Sequence, residues 1–259
     1  MIRKEINSLK MRALIMFFFM LALLILVVSM QDYVTSMSIS FENMKNSNRT
    51  KLAEKFLNES LEKILKKLQT NDYYIWSQWY GKNFGQFLPL LVLIIAFPIF
   101  SKETEKKTIY FLLARKNRNE IFNVKALTGL ITVIIIILSL SLLPIAFMNA
   151  FGKTIKIVPI FKYAFQEIVV GIFFYTVYLF FSVYFNDTVK TIIAGIVFFI
   201  GDFMLGLIEK ISFLNVFPYI SCSHIYKTGN IDWIYTIWLL VISAGMYLVT
   251  MRYFQKKDF

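Results

Sequence analysis

Long apolar runs constrain this chain more than any other feature. Ala13–Met30, Phe84–Phe100, Ala126–Met148, Tyr163–Phe185, Thr191–Leu207 and Trp233–Phe254 are each close to the ~20 residues a helix needs to cross a bilayer. Lipid cannot satisfy a free peptide group, so such runs have to be helical. With 58% hydrophobic and only 17% charged side chains, the chain lacks the polar surface of a soluble enzyme. The expected fold is all-α, a polytopic membrane protein with six transmembrane helices and both termini on one side.

Charge sets the expected orientation, because short loops rich in Lys and Arg stay in the cytoplasm. Arg3, Lys4, Lys10 and Arg12 precede the first run, and seven basic residues lie in Ser101–Lys125, between the second and third. Both termini are therefore expected to be cytoplasmic. Residues 1–12 carry Ile2, Ile6 and Leu9 at helical spacing, the pattern of an amphipathic helix on the inner membrane surface. The first run exceeds the ~7–15 apolar residues of a signal peptide and is expected to stay in the membrane. Eight basic residues fall in the outer insertion, residues 31–83. Its length approaches the roughly 60 residues at which the charge rule stops applying.

That insertion is expected to be helical and extracellular. Thr50–Thr70 reads as a helix in which Leu57, Leu61, Ile64 and Leu68 make an apolar seam, too short for a coiled coil. A cap over a transport pathway and a helix lying in the interface both suit such a seam. Tyr73, Tyr74, Trp76, Trp79 and Tyr80 follow, and beside a span they read as an interfacial aromatic belt. Pro89 and Pro98 in the second run and Pro144 in the third delete backbone donors and mark places to bend. Residues 208–232 are too polar and broken to span, yet they hold Phe213, Leu214, Val216, Phe217 and Ile220.

Motifs for chemistry are sparse. A single cysteine, Cys222, excludes an internal disulfide, and Cys222-Ser223-His224 has no further metal ligands beside it. Gly152-Lys153-Thr154 ends like a phosphate-binding loop, but Phe147 stands where that loop requires Gly. No cofactor or metal site is therefore expected in this chain. The net charge of +12 is scattered over loops, without a basic patch of interleaved aromatics, which argues against nucleic acid. Two carboxylates fall within apolar runs, Glu167 and Asp202. An Asp in the membrane costs ~2.5–3.5 kcal/mol on insertion scales and is a functional candidate by default. Both are candidates for a cargo pathway, and Glu167 also fits a hydrated helix end.

Ser101–Lys125 carries the most specific pattern. Ile109–Leu113 is an apolar knot between two charge clusters, and its need for burial predicts a short docked helix. Glu103-x-Glu105-x-x-Thr108, Leu112-Leu113, Arg118-x-x-Ile121 and Lys125 resemble the first cytoplasmic loop of ABC-2 type transporter permeases. In that family an acidic pair precedes a Gly-Thr, a Leu pair, a Pro-containing turn, a basic residue and a Lys opening the next span. Here Lys107 stands where Gly is common, and Arg115-Lys116 replace the proline. The N-terminal IRKEINSLKMR, the terminal FQKKDF and a 208–232 segment similar to the family's partly re-entrant outer segment extend the resemblance over most of the chain.

The resemblance implies one transmembrane domain over residues 1–259, the permease subunit of an ATP-driven exporter and not itself an enzyme. It implies a second permease copy, as a homodimer, and two copies of a separately encoded cytoplasmic ATPase that bind ATP and Mg. Loop 101–125 would couple to that ATPase through Glu103, Glu105, Thr108, Leu112, Leu113, Arg115 and Arg118. Among family members the chain most resembles bacterial peptide and toxin exporters or immunity transporters, including those of the phenol-soluble modulin type. An amphipathic or hydrophobic cargo, best a peptide, would then leave across a bacterial plasma membrane. The alternatives are a secondary transporter, which predicts an internal repeat that is not found, and an intramembrane enzyme, whose catalytic constellation is missing.

Overall fold

The computed structural model describes residues 2–43, 61–208 and 213–258. In chain order its helices are α1 (Ile2–Ser29), α2 (Gln31–Asn43), α3 (Leu61–Leu68) and α4 (Asn71–Ile75). A π-helical stretch, Trp76–Asn83, leads into α5 (Phe84–Ala96), α6 (Ser101–Glu105), α7 (Ile109–Leu113) and α8 (Arg118–Ala150). Then come α9 (Ile157–Tyr184), α10 (Thr188–Leu205), α11 (Phe217–Ile220), α12 (Ser223–Thr228) and α13 (Trp233–Lys256). No strand occurs among the described residues. Six helical segments are long and apolar enough to span, as expected: α1, the composite 71–105 rod, α8, α9, α10 and α13.

The 71–105 rod and α9 are the most buried of the six and form the centre. Helices α8, α13 and α5 pack on α9, α1 packs on α8, and α10 leans on α9 and α5 from outside. The outer helices turn apolar side chains away from the bundle: Ile15 and Phe18 on α1, Ile131 and Ile135 on α8, Ile193 and Val197 on α10, Ile237 and Val241 on α13. A bundle that is apolar on its exterior is solvated by lipid rather than water.

Contacts between elements define two ends. At one, the loop end, Glu5 of α1 meets Lys125 of α8 (2.9 Å), and Arg118 meets the last carbonyls of α13. At the other, the cap end, Lys153 pairs with Asp32 (2.6 Å), and Asn71 bonds Gln31 (2.8 Å) and the Thr154 carbonyl (3.0 Å). Residues 213–232 close the cap end. Val216, Ile220, Cys222 and Ile225 are buried there, and Gln166 Nε2 holds the Tyr219 carbonyl at 2.8 Å. The backbone of this segment comes so near α5 that a Cβ on Gly85 would lie 2.7 Å from the Ile220 oxygen.

Several spans are longer than their apolar runs. The amphipathic stretch 1–12 is continuous with the first span, and it buries Glu5 and Leu9 while Ile6 stays exposed. Helix α9 starts at Ile157, with Pro159 in its first turn where a missing N–H is harmless. Residues 71–83, expected outside in the insertion, belong to the second span. Of the expected Thr50–Thr70 helix, Leu61–Leu68 is described and packs against α2 and α4. Ile64 and Leu68 are half-buried, Leu61 opens the helix, and Leu57 lies outside the described residues.

The aromatic belt expected at 73–80 is instead largely core. Trp79 and Tyr80 are fully buried and Tyr74 nearly so. Each spends its polar atom on a backbone carbonyl of a neighbouring helix: Tyr74 on Val27 (2.8 Å), Trp79 on Leu140 (3.3 Å), Tyr80 on Ser141 (2.6 Å). Pro144 explains why Leu140 needs a donor, because proline lacks the N–H that would bond the carbonyl four residues back. Tyr73 and Trp76 keep the half-wet character of belt residues, and Trp76 is the better anchored of the two. It stacks on Tyr226 with centroids 3.9 Å apart and donates to the Ser221 carbonyl at 3.0 Å.

Candidate functional site

The loop between the second and third spans folds as α6, a tight turn and α7. Ile109 is fully buried and roots α7 in the bundle. Leu112 and Leu113, one helical turn further on, are half-buried against the same core. The opposite face presents Tyr110 and Phe111, which are 48% and 72% exposed. In sequence this aromatic pair is flanked on both sides by exposed basic residues, Lys106 and Lys107 before it and Arg115 and Lys116 after it, Lys116 pairing with Glu120 at 2.6 Å. The result is an apolar knob between basic flanks, on a helix fixed from behind.

The charges of the sequence pattern are largely spent inside the chain. Lys125, its side chain 1% exposed, lies 2.9 Å from both Glu5 and Glu103 and 3.3 Å from the Ile99 carbonyl. It thus joins α1, α6, α8 and the irregular turn at 97–100. Glu105 accepts from the Thr188 N–H (3.2 Å) and hydroxyl, tying α6 to the start of α10. Arg118 donates to the carbonyls of Gln255 (2.9 Å) and Lys257 (2.7 Å), groups that the end of a helix leaves open. Ser182 accepts from the N–H groups of Phe100 (3.0 Å) and Ser101 (3.2 Å), and so closes the break above α6.

Of the seven residues expected to couple, Glu103, Glu105 and Arg118 therefore brace the loop. Thr108 donates to the Glu103 carbonyl at 3.3 Å, and Arg115 faces out. Tyr110 and Phe111 were not among the seven, although helical spacing marks them. With Ile109, Leu112 and Leu113 on the inner face, a five-residue helix must turn the residues between them outward.

Lys107 adds a local test. Its φ of +57° is the left-handed region, and it occupies the position where the resemblance expects Gly. A side chain there costs roughly 1–2 kcal/mol that glycine avoids, partly offset by the extra entropy glycine loses on folding. Lys107→Gly should stabilise the protein by about 0.5–1 kcal/mol, read as a small rise in Tm, whereas Lys107→Ala should not.

The two intramembrane carboxylates lie in different settings. Glu167 is ten residues into α9, deeper than a hydrated helix end, and is fully buried. Ser141 donates to its Oε2 at 2.6 Å, while the neighbouring Ser141 carbonyl accepts from Tyr80. Asp202, three residues before the end of α10, accepts from the Val216 N–H at 3.1 Å and lines a cavity. The structure does not bring the two carboxylates into one site. At the cap end, Asp232 opens α13 by accepting from the Tyr235 N–H (3.1 Å) and from the Tyr219 hydroxyl (2.7 Å). The Tyr219 donation, ahead of the Tyr235 N–H, holds its carboxyl below the usual range. No group of metal-ligating side chains occurs among the described residues.

No curated protein and no solved structure matches this chain. The profile of the ABC-2 family transporter proteins, however, matches residues 1–259, from the Lys125–Glu5–Glu103 cluster through the loop to the last span. With six membrane-spanning helices joined around a braced loop, this chain belongs to the ABC-2 transporter family and is a transmembrane component of an ABC transporter.

Proposed function

We propose that this chain is the permease subunit of an ATP-driven exporter, and that α7 is the element its ATPase pushes. The observation that carries this reading is the Tyr110–Phe111 knob. Exposed aromatics flanked by basic side chains suit a partner with an apolar pocket and an acidic rim, and such anchors dominate protein interfaces. The bracing behind the knob supports a mechanical role. A push on α7 reaches α1 through Glu103 and Lys125, α10 through Glu105, and α13 through Arg118. We place the loop end in the cytoplasm, in line with its density of Lys and Arg. A second copy of the chain and two ATPases complete the assembly, with ATP and Mg held by the ATPase. An amphipathic or hydrophobic cargo, best a peptide, leaves a bacterial cell through or beside the paired permeases.

The tagged chain, purified in mild detergent from its native host, should appear in native mass spectrometry as two permeases with two P-loop ATPases. Phe111→Asp should keep the permease pair and lose the ATPases, because a charge replaces the anchor without touching the buried face of α7. A bare monomer or homodimer from the unmutated chain would sink the reading and favour a secondary transporter. An ATPase retained by Phe111→Asp would move the contact elsewhere on the chain.

A further inference from the structure

A cavity of about 590 Å³ lies between α9, α10 and α13, within the ~300–1,000 Å³ range of pockets that hold small organic molecules. Its walls are apolar, with Phe173, Phe181 and Phe198 among them, and Asp202 is the only ionisable side chain of the lining among the described residues. Asp202 is 5% exposed. Its Oδ1 is held by the Val216 N–H, while Oδ2 is buried with no hydrogen-bond partner among the described residues. A buried carboxylate oxygen without a donor is expensive, and among the described residues no Lys or Arg lines the cavity to relieve it. A bound molecule that carries a donor would relieve it.

The shape of the cavity says what kind of molecule would bring it. Asp202 sits at the cap side with Leu214 and Val216, while Phe181 and Met246 lie toward the loop half. Along α13 the lining runs from Trp238 to Met246, eight positions or about 12 Å at the helical rise. One polar end and a long apolar flank are the complement of an amphiphile. Helices α10 and α13 are on the outside of the bundle, so such a molecule enters sideways from lipid. There is also room beside the carboxylate: a Cβ on Gly201 would meet nothing within 4 Å among the described residues. We infer that this cavity binds a cationic amphiphile, with its ammonium group donating to Asp202 Oδ2 and its alkyl chain along the aromatic wall. Neither export nor an ATPase is needed for this binding, so it stands or falls separately from the exporter reading.

The test is saturable photolabelling of the full chain in nanodiscs of zwitterionic lipid. The probes are decylammonium and decanol, each carrying a diazirine in mid-chain, with labelled peptides mapped by mass spectrometry. The ammonium probe should label α9 and α13 between Phe173–Phe181 and Trp238–Met246, and unlabelled decylammonium should compete. Asp202→Asn keeps an oxygen for the Val216 N–H and should still fold. It should raise the half-saturating concentration of the ammonium probe on the order of tenfold or more, leaving decanol unchanged. Gly201→Leu keeps the charge but fills the open space, and should abolish saturable labelling. Equal labelling by the two probes in the unmutated chain, or an ammonium profile unmoved by either substitution, would overturn the inference.

Discussion

Lys125→Met should lower the unfolding temperature of the purified protein by about 6–12 °C, equivalent to roughly 3 kcal/mol in a chain of this size. The substitution keeps the volume of the side chain and removes its charge. What remains is Glu5 and Glu103, with side chains only 8% and 16% exposed, facing each other across the site of a lost cation. Breaking a buried ion pair costs far more than the pair contributes, because the surviving charge is left uncompensated in a medium that solvates it poorly. Here two survivors repel each other. The same physics supplies the control. Lys125→Met combined with Glu5→Gln and Glu103→Gln removes every charge of the cluster, so most of the lost stability should return. A triple variant as unstable as Lys125→Met would mean that Lys125 acts through packing and the Ile99 carbonyl rather than through charge. If the triple variant is stable but no longer couples transport to ATP hydrolysis, the cluster carries the push from α6 to α1.

Hydropathy showed the six spans because nothing except lipid tolerates such runs, but it could not show where the helices end. Helix ends project into water, and there Lys162 reads as loop while the helix of α9 already starts at Ile157. The coupling pattern was legible as a set of residues and not as a geometry. Glu103, Glu105, Arg118 and Lys125 look alike whether they face a partner or one another. Only folding shows that three of them meet α1, α10 and α13. Asp202 stood out as a carboxylate in an apolar run, whereas its cavity is made by α9 and α13, far away in sequence. The aromatic stretch misled for a related reason. A belt and a set of buried donors have the same composition, and the carbonyl that decides between them is freed by Pro144, some sixty positions downstream of Trp79.

That long-range link gives the second large effect. Trp79→Ala should cost about 3–5 kcal/mol, since it empties a fully buried site and leaves the Leu140 carbonyl without its donor in a dry interior. Trp79→Phe separates the two losses. It retains most of the ring and its stacking on Phe84 (5.4 Å between centroids) and deletes only the indole N–H, for an expected loss of about 1–3 kcal/mol. The decisive variant is Pro144→Ala, which returns to α8 the N–H that bonds Leu140 within the helix. In that background Trp79→Phe should cost little, giving a coupling energy on the order of 1–2 kcal/mol between residues on different spans. Thermal unfolding of the four proteins in one detergent measures the cycle. If Trp79→Phe costs the same with and without the proline, the indole does not serve the proline-freed carbonyl, and the π-helical turn that presents Trp79 and Tyr80 to α8 needs another cause. If the coupling appears, the proline in α8 and the π-helical turn in its neighbour are one device, in which the second span supplies the hydrogen bond that proline removes from the third.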